Sequence, residues 1–275
     1  MRKTTPQFPQ KMKIIPSLIL AAVTATTLSA APKKLLVVTT TTGFRHSSIP
    51  NLEKVIAQLG QSSGEFTVDY VHQPNPMSEQ AMKDALQKLA PESLKNYDGI
   101  VFASTTGDLP IPDPQALVDW IKAGHAFIGI HSASDTFHKW PQYAEMLGGE
   151  FKGHGAQVGV ECLNEDPKNP ANAHLAKTWT ISQEEIYEFK NYDPAKVHDL
   201  LILDKHPQSK AAGHFPVTWN KEFGSGKIFY TSLGHREDVI DTDPDLKDRK
   251  NSIEISKAYQ QHILGGIEWA LGLKK

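Results

Sequence analysis

The stretch FIGIHSASD, from Phe127 to Asp135, ends an apolar run in a turn of small polar residues. A parallel strand presents a reactive side chain at the tip of a sheet in this way, and the usual frame is Gly-x-nucleophile-x-Gly. Here the frame is Gly129-Ile130-His131-Ser132-Ala133, so an imidazole occupies the nucleophile's place. An imidazole titrates near neutrality and serves as a general acid, a general base or a metal ligand. It is a poor acyl-transfer nucleophile. Ser132 or Ser134 with His235 and Asp135 makes a nominal triad, but neither serine holds the central position, which argues against a serine hydrolase. Asp135 either orients an imidazole or caps a helix over the following TFHKWPQYAEML.

Two further histidines follow apolar runs: His46 in GFRHSS after KKLLVVTTTT, and His235 after KIFYTSLG. In an open parallel sheet, ligands bind at the carboxyl ends of the strands, where these residues would lie. Convergence of His46, His131 and His235 would create a metal site, although no H-x-H or H-E-x-x-H spacing supports one. A divalent metal is therefore left open. TTTTGF has one glycine and G-x-G-x-x-G is absent, so no phosphate-binding loop is indicated.

A second group comprises Trp140, Tyr143, His154, Glu184-Glu185-Ile186-Tyr187, His214 and Trp219. Aromatic faces beside carboxylates and imidazoles suit a small carbohydrate ligand, although tryptophan in regular structure is more often core. Alternation along TWTISQEEIYEF places Glu185 and Tyr187 on one strand face. His72, His138, His198, His206 and His262 lie beside polar or loop residues and are expected in solvent. Cys162, the single cysteine, sits in the strand-like AQVGVECLN and is expected to be a packing residue.

The elements that must position these residues alternate at first. Strands are predicted at KKLLVV, FTVDYVH, DGIVFAS and HAFIGIH. Helices are predicted over IPNLEKVIAQLG, Glu79 to Leu89 and QALVDWIKAG, the last opened by Pro112 and Asp113. Such alternation predicts a parallel sheet covered on both faces. In the second half, QVGVECL, TWTISQEEIYEF, DLLILDK and HFPVTW are strand-like runs joined by loops, which predicts an antiparallel extension packed on the first unit. GKIFYTSLG returns to a buried strand, and SIEISKAYQQHILGGIEWALG closes as a helix that Gly265-Gly266 would kink.

The basic MRKTTPQFPQKMK, the apolar IIPSLILAAVTATTL and the small-residue LSAAP form a secretory leader pattern. Residues 1–31 are thus expected to be a signal peptide that is removed, leaving 32–275 as one domain, exported to the periplasm or beyond. The apolar run is shorter than the ~20 residues of a membrane span, so no span is expected after removal. With 29 Lys+Arg against 31 Asp+Glu, and no basic block, nucleic acid is not an expected partner.

GFRHSSIP, FIGIHSASDTFHKWPQYAEMLGGEFKGH, EEIYEF and FPVTWNKEFGSGKIFYTSLGH, in this order, closely resemble the trehalose-utilisation (ThuA-like) family, from about Lys34 to Gly272. The resemblance implies a flavodoxin-like α/β fold of the class I glutamine amidotransferase type, without the amidotransferase cysteine. It implies action on trehalose-like or oxidised (keto) sugars or glycosides. The family's motif residues fall on Arg45, His46, His131, Asp135, Trp140, Tyr143, His154, Glu185, Tyr187, Trp219 and His235. His131, Asp135, His235 and Glu185 are the implied catalytic set, and Arg45, His46, Trp140, Tyr143, His154, Tyr187 and Trp219 the substrate-binding set. Glu184 stands where the family often has Asp, and Phe215 separates His214 from Pro216. A non-catalytic carbohydrate-binding or accessory protein is the alternative, and a homo-oligomer is left open.

Overall fold

The computed structural model describes residues 1–7 and 31–275. Residues 1–7 have no regular secondary structure, and the rest of the expected leader, from 8 to 30, lies outside the described residues. Pro32–Lys275 forms one compact unit.

Strand and helix alternate first: β1 (Lys33–Val38), α1 (Ile49–Ser63), β2 (Phe66–Val71), α2 (Glu79–Ala85), α3 (Pro91–Leu94), β3 (Gly99–Ala103), α4 (Pro114–Lys122), β4 (Ala126–Ile130) and α5 (Pro141–Leu147). There follow β5 (Glu150–His154), β6 (Val158–Asn164), β7 (Thr178–Glu184), β8 (Tyr187–Lys190), β9 (His198–Lys205), β10 (Ala212–Phe223) and β11 (Gly226–Thr231). Two helices, α6 (Glu237–Ile240) and α7 (Ile253–Ala270), end the chain. The helix starts follow local chemistry: Asp113 and Ser252 accept from Ala116 N and Ile255 N at the N-caps of α4 and α7.

One nine-stranded sheet, in the order β2-β1-β3-β4-β11-β10-β9-β6-β7, carries the fold. From β2 to β11 the strands are parallel, and β10, β9, β6 and β7 continue the sheet antiparallel. The parallel part has the flavodoxin-like strand order, with β11 as its fifth strand. The antiparallel extension is therefore continuous with the sheet, edge to edge, rather than packed on it. A separate two-stranded ribbon pairs β5 with β8.

Leu35 and Val37 of β1 face one core with Leu52 and Ile56 of α1 and Tyr259, Ile263 and Ile267 of α7. Leu36 and Val38 face the other, with Met82 of α2, Leu117 and Ile121 of α4 and Met146 of α5. The period-2 alternation of a strand distributes apolar side chains to two helical layers. Cys162 is completely buried in the first core, and burial pushes its thiol up to about 12. Helix α7 runs unbroken through Gly265-Gly266. A Cβ at Gly266 would lie 2.4 Å from the Phe229 ring and one at Gly265 2.2 Å from Pro170 O, so the pair lets the helix sit close to β11 and to that loop and does not kink it.

TWTISQEEIYEF is not one strand. It breaks at Glu185-Ile186, sending β7 into the main sheet and β8 into the ribbon. His262 is fully buried in α7, where Nδ1 bonds Ala171 O at 2.9 Å, and is not in solvent.

Candidate functional site

The loops after β1, β4 and β11 leave the same edge of the sheet, and each delivers a histidine: His46, His131 and His235. The β7–β8 break adds Glu185 from the extension. His131 adopts φ 52°, a left-handed conformation uncommon for a residue with a side chain, at the start of a short 3₁₀ turn. Neighbouring hydroxyls hold that turn. Tyr230 Oη donates to His131 O at 2.8 Å, and Tyr143 Oη to Ala133 O at 2.8 Å. These satisfy carbonyls that burial would otherwise leave unpaired.

His131 Nδ1 lies 2.7 Å from Ser232 O, so it carries the proton and turns the Nε2 lone pair inward. That nitrogen is 3.2 Å from His46 Nε2, 2.9 Å from Tyr187 Oη and 3.6 Å from Glu185 Oε2. His46 Nδ1 faces Ser132 Oγ at 3.3 Å. Glu185 lies between two more imidazoles, with His154 Nδ1 at 3.0 Å and His235 Nδ1 at 3.2 Å. The last contact is poorly aligned, leaving the buried His235 Nδ1 without a hydrogen bond. His46, His131, Glu185 and His235 each offer one donor atom, all within 4.8 Å of one another.

Burial lowers His46 to about 4, with help from the His235 charge, and holds His131 well below the usual imidazole range. Burial also opposes a charge on His235, but the adjacent Glu185 outweighs it and raises that imidazole. Burial would raise Glu185, yet His235 outweighs it and holds the carboxyl below its usual range. The site thus combines two imidazoles that burial disposes against a charge with a carboxylate and an imidazole that each favour the other's charge. Beneath them Glu184, fully buried, accepts from Glu185 N at 2.7 Å and Gly234 N at 3.2 Å. Burial pushes it up to about 7 against the opposing pull of those N–H groups.

A cleft of about 370 Å³ opens above this floor, lined by Phe44, His46, Asp135, Phe151, His154, Glu185, Tyr187 and His235. Larger hollows, of about 560, 450 and 430 Å³, lie elsewhere, without converging imidazoles. Asp135 is held by His138, whose Nε2 is 2.7 Å from Asp135 Oδ1 and whose Nδ1 is 2.7 Å from Glu150 Oε1.

The structure thus brings His46, Asp135, His154, Glu185, Tyr187 and His235 to the cleft. His131 lies one layer below, fully buried, and does not line the cleft. Tyr143 and Trp219 do not reach the cleft. Both are buried in the second core, where Trp219 Nε1 donates to Leu147 O at 2.8 Å, and Trp140 packs against them. Arg45 is exposed and turned back onto Thr39 O at 2.7 Å, away from the cleft. His214 pairs with Asp199 at 2.9 Å outside the site. Asp135 is no helix cap, since α5 begins only at Pro141 after Trp140. Glu185 and Tyr187 do face the same cleft, but across the strand break and not along one strand.

Sequence reasoning missed both aromatic walls. Phe151 sits on the ribbon, and Phe44, beside His46 in GFRHSS, is 67 % exposed. An exposed phenylalanine next to a strand-end histidine was the available signal.

A family model described as trehalose utilisation matches residues 34–270. A ThuA-like protein structure from Parabacteroides merdae aligns at 20 % identity over 88 % of this chain and 91 % of its own, with a TM-score of 0.66. One from Bacteroides uniformis aligns at 18 % identity over 91 % of this chain and 96 % of its own, with a TM-score of 0.62. At 8 % identity, 89 % of this chain aligns with 32 % of a β-galactosidase from Bacillus circulans, with a TM-score of 0.51. At these identities the likeness is one of fold. No curated protein gives a significant match.

Proposed function

Because the chain belongs to the ThuA, or trehalose-utilisation, family, we propose that it is an exported enzyme acting on a small carbohydrate of the trehalose-like or keto-sugar class. The observation that carries this reading is Glu185 set between His154 and His235 on the floor of a cleft walled by Phe44 and Phe151. Aromatic faces take the apolar side of a sugar ring, and the polar floor meets its hydroxyl or carbonyl oxygens. Glu185 and Asp135 supply carboxylates on that floor and wall, and His235 a proton donor, which together suit proton transfer beside a carbonyl or at a glycosidic oxygen. His131 and Tyr187 position Glu185 and His46 from below.

A non-catalytic binding protein would use the same aromatic walls. Against it stands the partly buried contact of the Glu185 carboxylate with the His235 imidazole, an arrangement that binding alone does not require. The test is turnover of trehalose, related glycosides and their 3-keto forms by the full chain and by Glu185→Gln. Turnover that falls at least ~100-fold in the variant, with the circular dichroism unchanged, is the expected result. Sugar binding without turnover in the parent would establish the accessory role instead. Fractionation of the producing cell, with N-terminal sequencing of the mature chain, tests export. A chain retained in the cytoplasm with its leader intact would refute it.

A further inference from the structure

We infer that His46, His131, Glu185 and His235 form a binding site for a first-row divalent cation of the zinc type. This deepens the preceding reading in that it concerns the same cleft, but the site needs no sugar to be tested. Three imidazoles and one carboxylate are a nitrogen-rich donor set, which suits zinc and its neighbours and not magnesium or calcium. Bonds of 2.0–2.2 Å place tetrahedral donors about 3.4 Å apart. The His46–His131, His131–Glu185 and His235–Glu185 separations are 3.2, 3.6 and 3.2 Å.

The surrounding hydrogen bonds point the same way. Metal-ligating histidines anchor the second ring nitrogen on an oxygen, which fixes tautomer and orientation. His131 does so on Ser232 O at 2.7 Å, and His46 faces Ser132 Oγ at 3.3 Å. The free carboxylate oxygen of Glu185 lies 3.0 Å from His154 Nδ1, which itself bonds Gly155 O at 2.9 Å. Without a cation the inner arrangement is poorly satisfied. The single Nε2 lone pair of His131 is approached by both the Tyr187 hydroxyl and His46 Nε2, while the buried His235 Nδ1 has no hydrogen bond. A cation resolves this: His46 shifts its proton to Nδ1 and donates to Ser132, and the inward nitrogens face the ion. A bound cation that took a sugar oxygen as a fifth ligand would polarise it. Glu185 and His235 then coordinate, and Asp135, braced by His138, is the carboxylate left to take a proton.

The test uses the full chain without an affinity tag, stripped with chelator and titrated with Zn²⁺ by calorimetry. The expected result is one equivalent bound. Glu185→Gln and His235→Ala should each weaken binding at least ~100-fold, beyond the 10–100-fold that loss of an outer partner costs. Their circular dichroism in the metal-free state should match the parent, which shows that the fold is kept. His214→Ala, outside the cluster, should bind as the parent does. Two results would overturn the site: no saturable binding by the folded parent, or equal affinity in the parent, Glu185→Gln and His235→Ala. Either would leave the sugar reading standing, because turnover by the full chain is a separate measurement.

Discussion

His138 shows how one exposed residue can govern another. Burial would lower its pKa, but hydrogen bonds to Glu150 and Asp135 outweigh that and raise it. A raised imidazole contributes stability that is complete below the unfolded value of about 6.5 and is lost as pH rises through the folded value. His138→Ala should therefore remove a decline in urea-unfolding free energy above neutrality, and the difference between variant and parent should shrink at alkaline pH. If Asp135 takes part in turnover, the same variant lowers kcat more than it raises KM, because the carboxylate is present but unheld. Asp238 is the opposite case. Burial would raise it, yet the Arg236 guanidinium and the Asn251 N–H groups outweigh that and hold it well below the carboxylate range. Its stabilisation is complete above the unfolded carboxyl value of about 3.9 and is lost as pH falls through the folded value. Asp238→Ala strands a half-buried guanidinium and should cost about 3–5 kcal/mol by urea denaturation at pH 7.

At the scale of elements, the parallel strands and their helices were legible because buried strands are continuous apolar runs and helices carry capping residues and a 3,4-spaced stripe. The clustered histidines were legible too, since His131 follows its strand directly and His46 and His235 lie in the loops after theirs. Less legible were the features set by non-local contacts. The break that frees Glu185 occurs inside an alternating pattern with no glycine or proline to mark it. Tyr143 and Trp219 share composition with ligand-binding aromatics, and only their hydrogen bonds to Ala133 O and Leu147 O reveal them as core. The Gly265-Gly266 pair was legible as a weakness in a helix but not as a contact surface. Gly266→Ala should destabilise by about 1–3 kcal/mol through overpacking on Phe229, where an ordinary exposed helical Gly→Ala would stabilise. Thermal or urea melts read that sign directly.

Across the molecule, the sheet joins two regions that differ in topology but share one of the two cores. One apolar cluster runs from Leu35 in the parallel part to Ile181 in β7, so the extension packs into an interior that the parallel region also uses. Unfolding should accordingly be a single transition, with far-UV circular dichroism and tryptophan fluorescence giving coincident urea midpoints. Trp120 follows the parallel region and Trp179 the extension. Separate midpoints would mean that the extension opens alone. The sealed thiol of Cys162 adds a clock to that experiment. An alkylating reagent attacks thiolate, and a sulfhydryl held protonated inside the common core is invisible to it until the chain opens. The rate at which the folded protein takes up one label therefore counts openings of the interior, hour by hour and without denaturant.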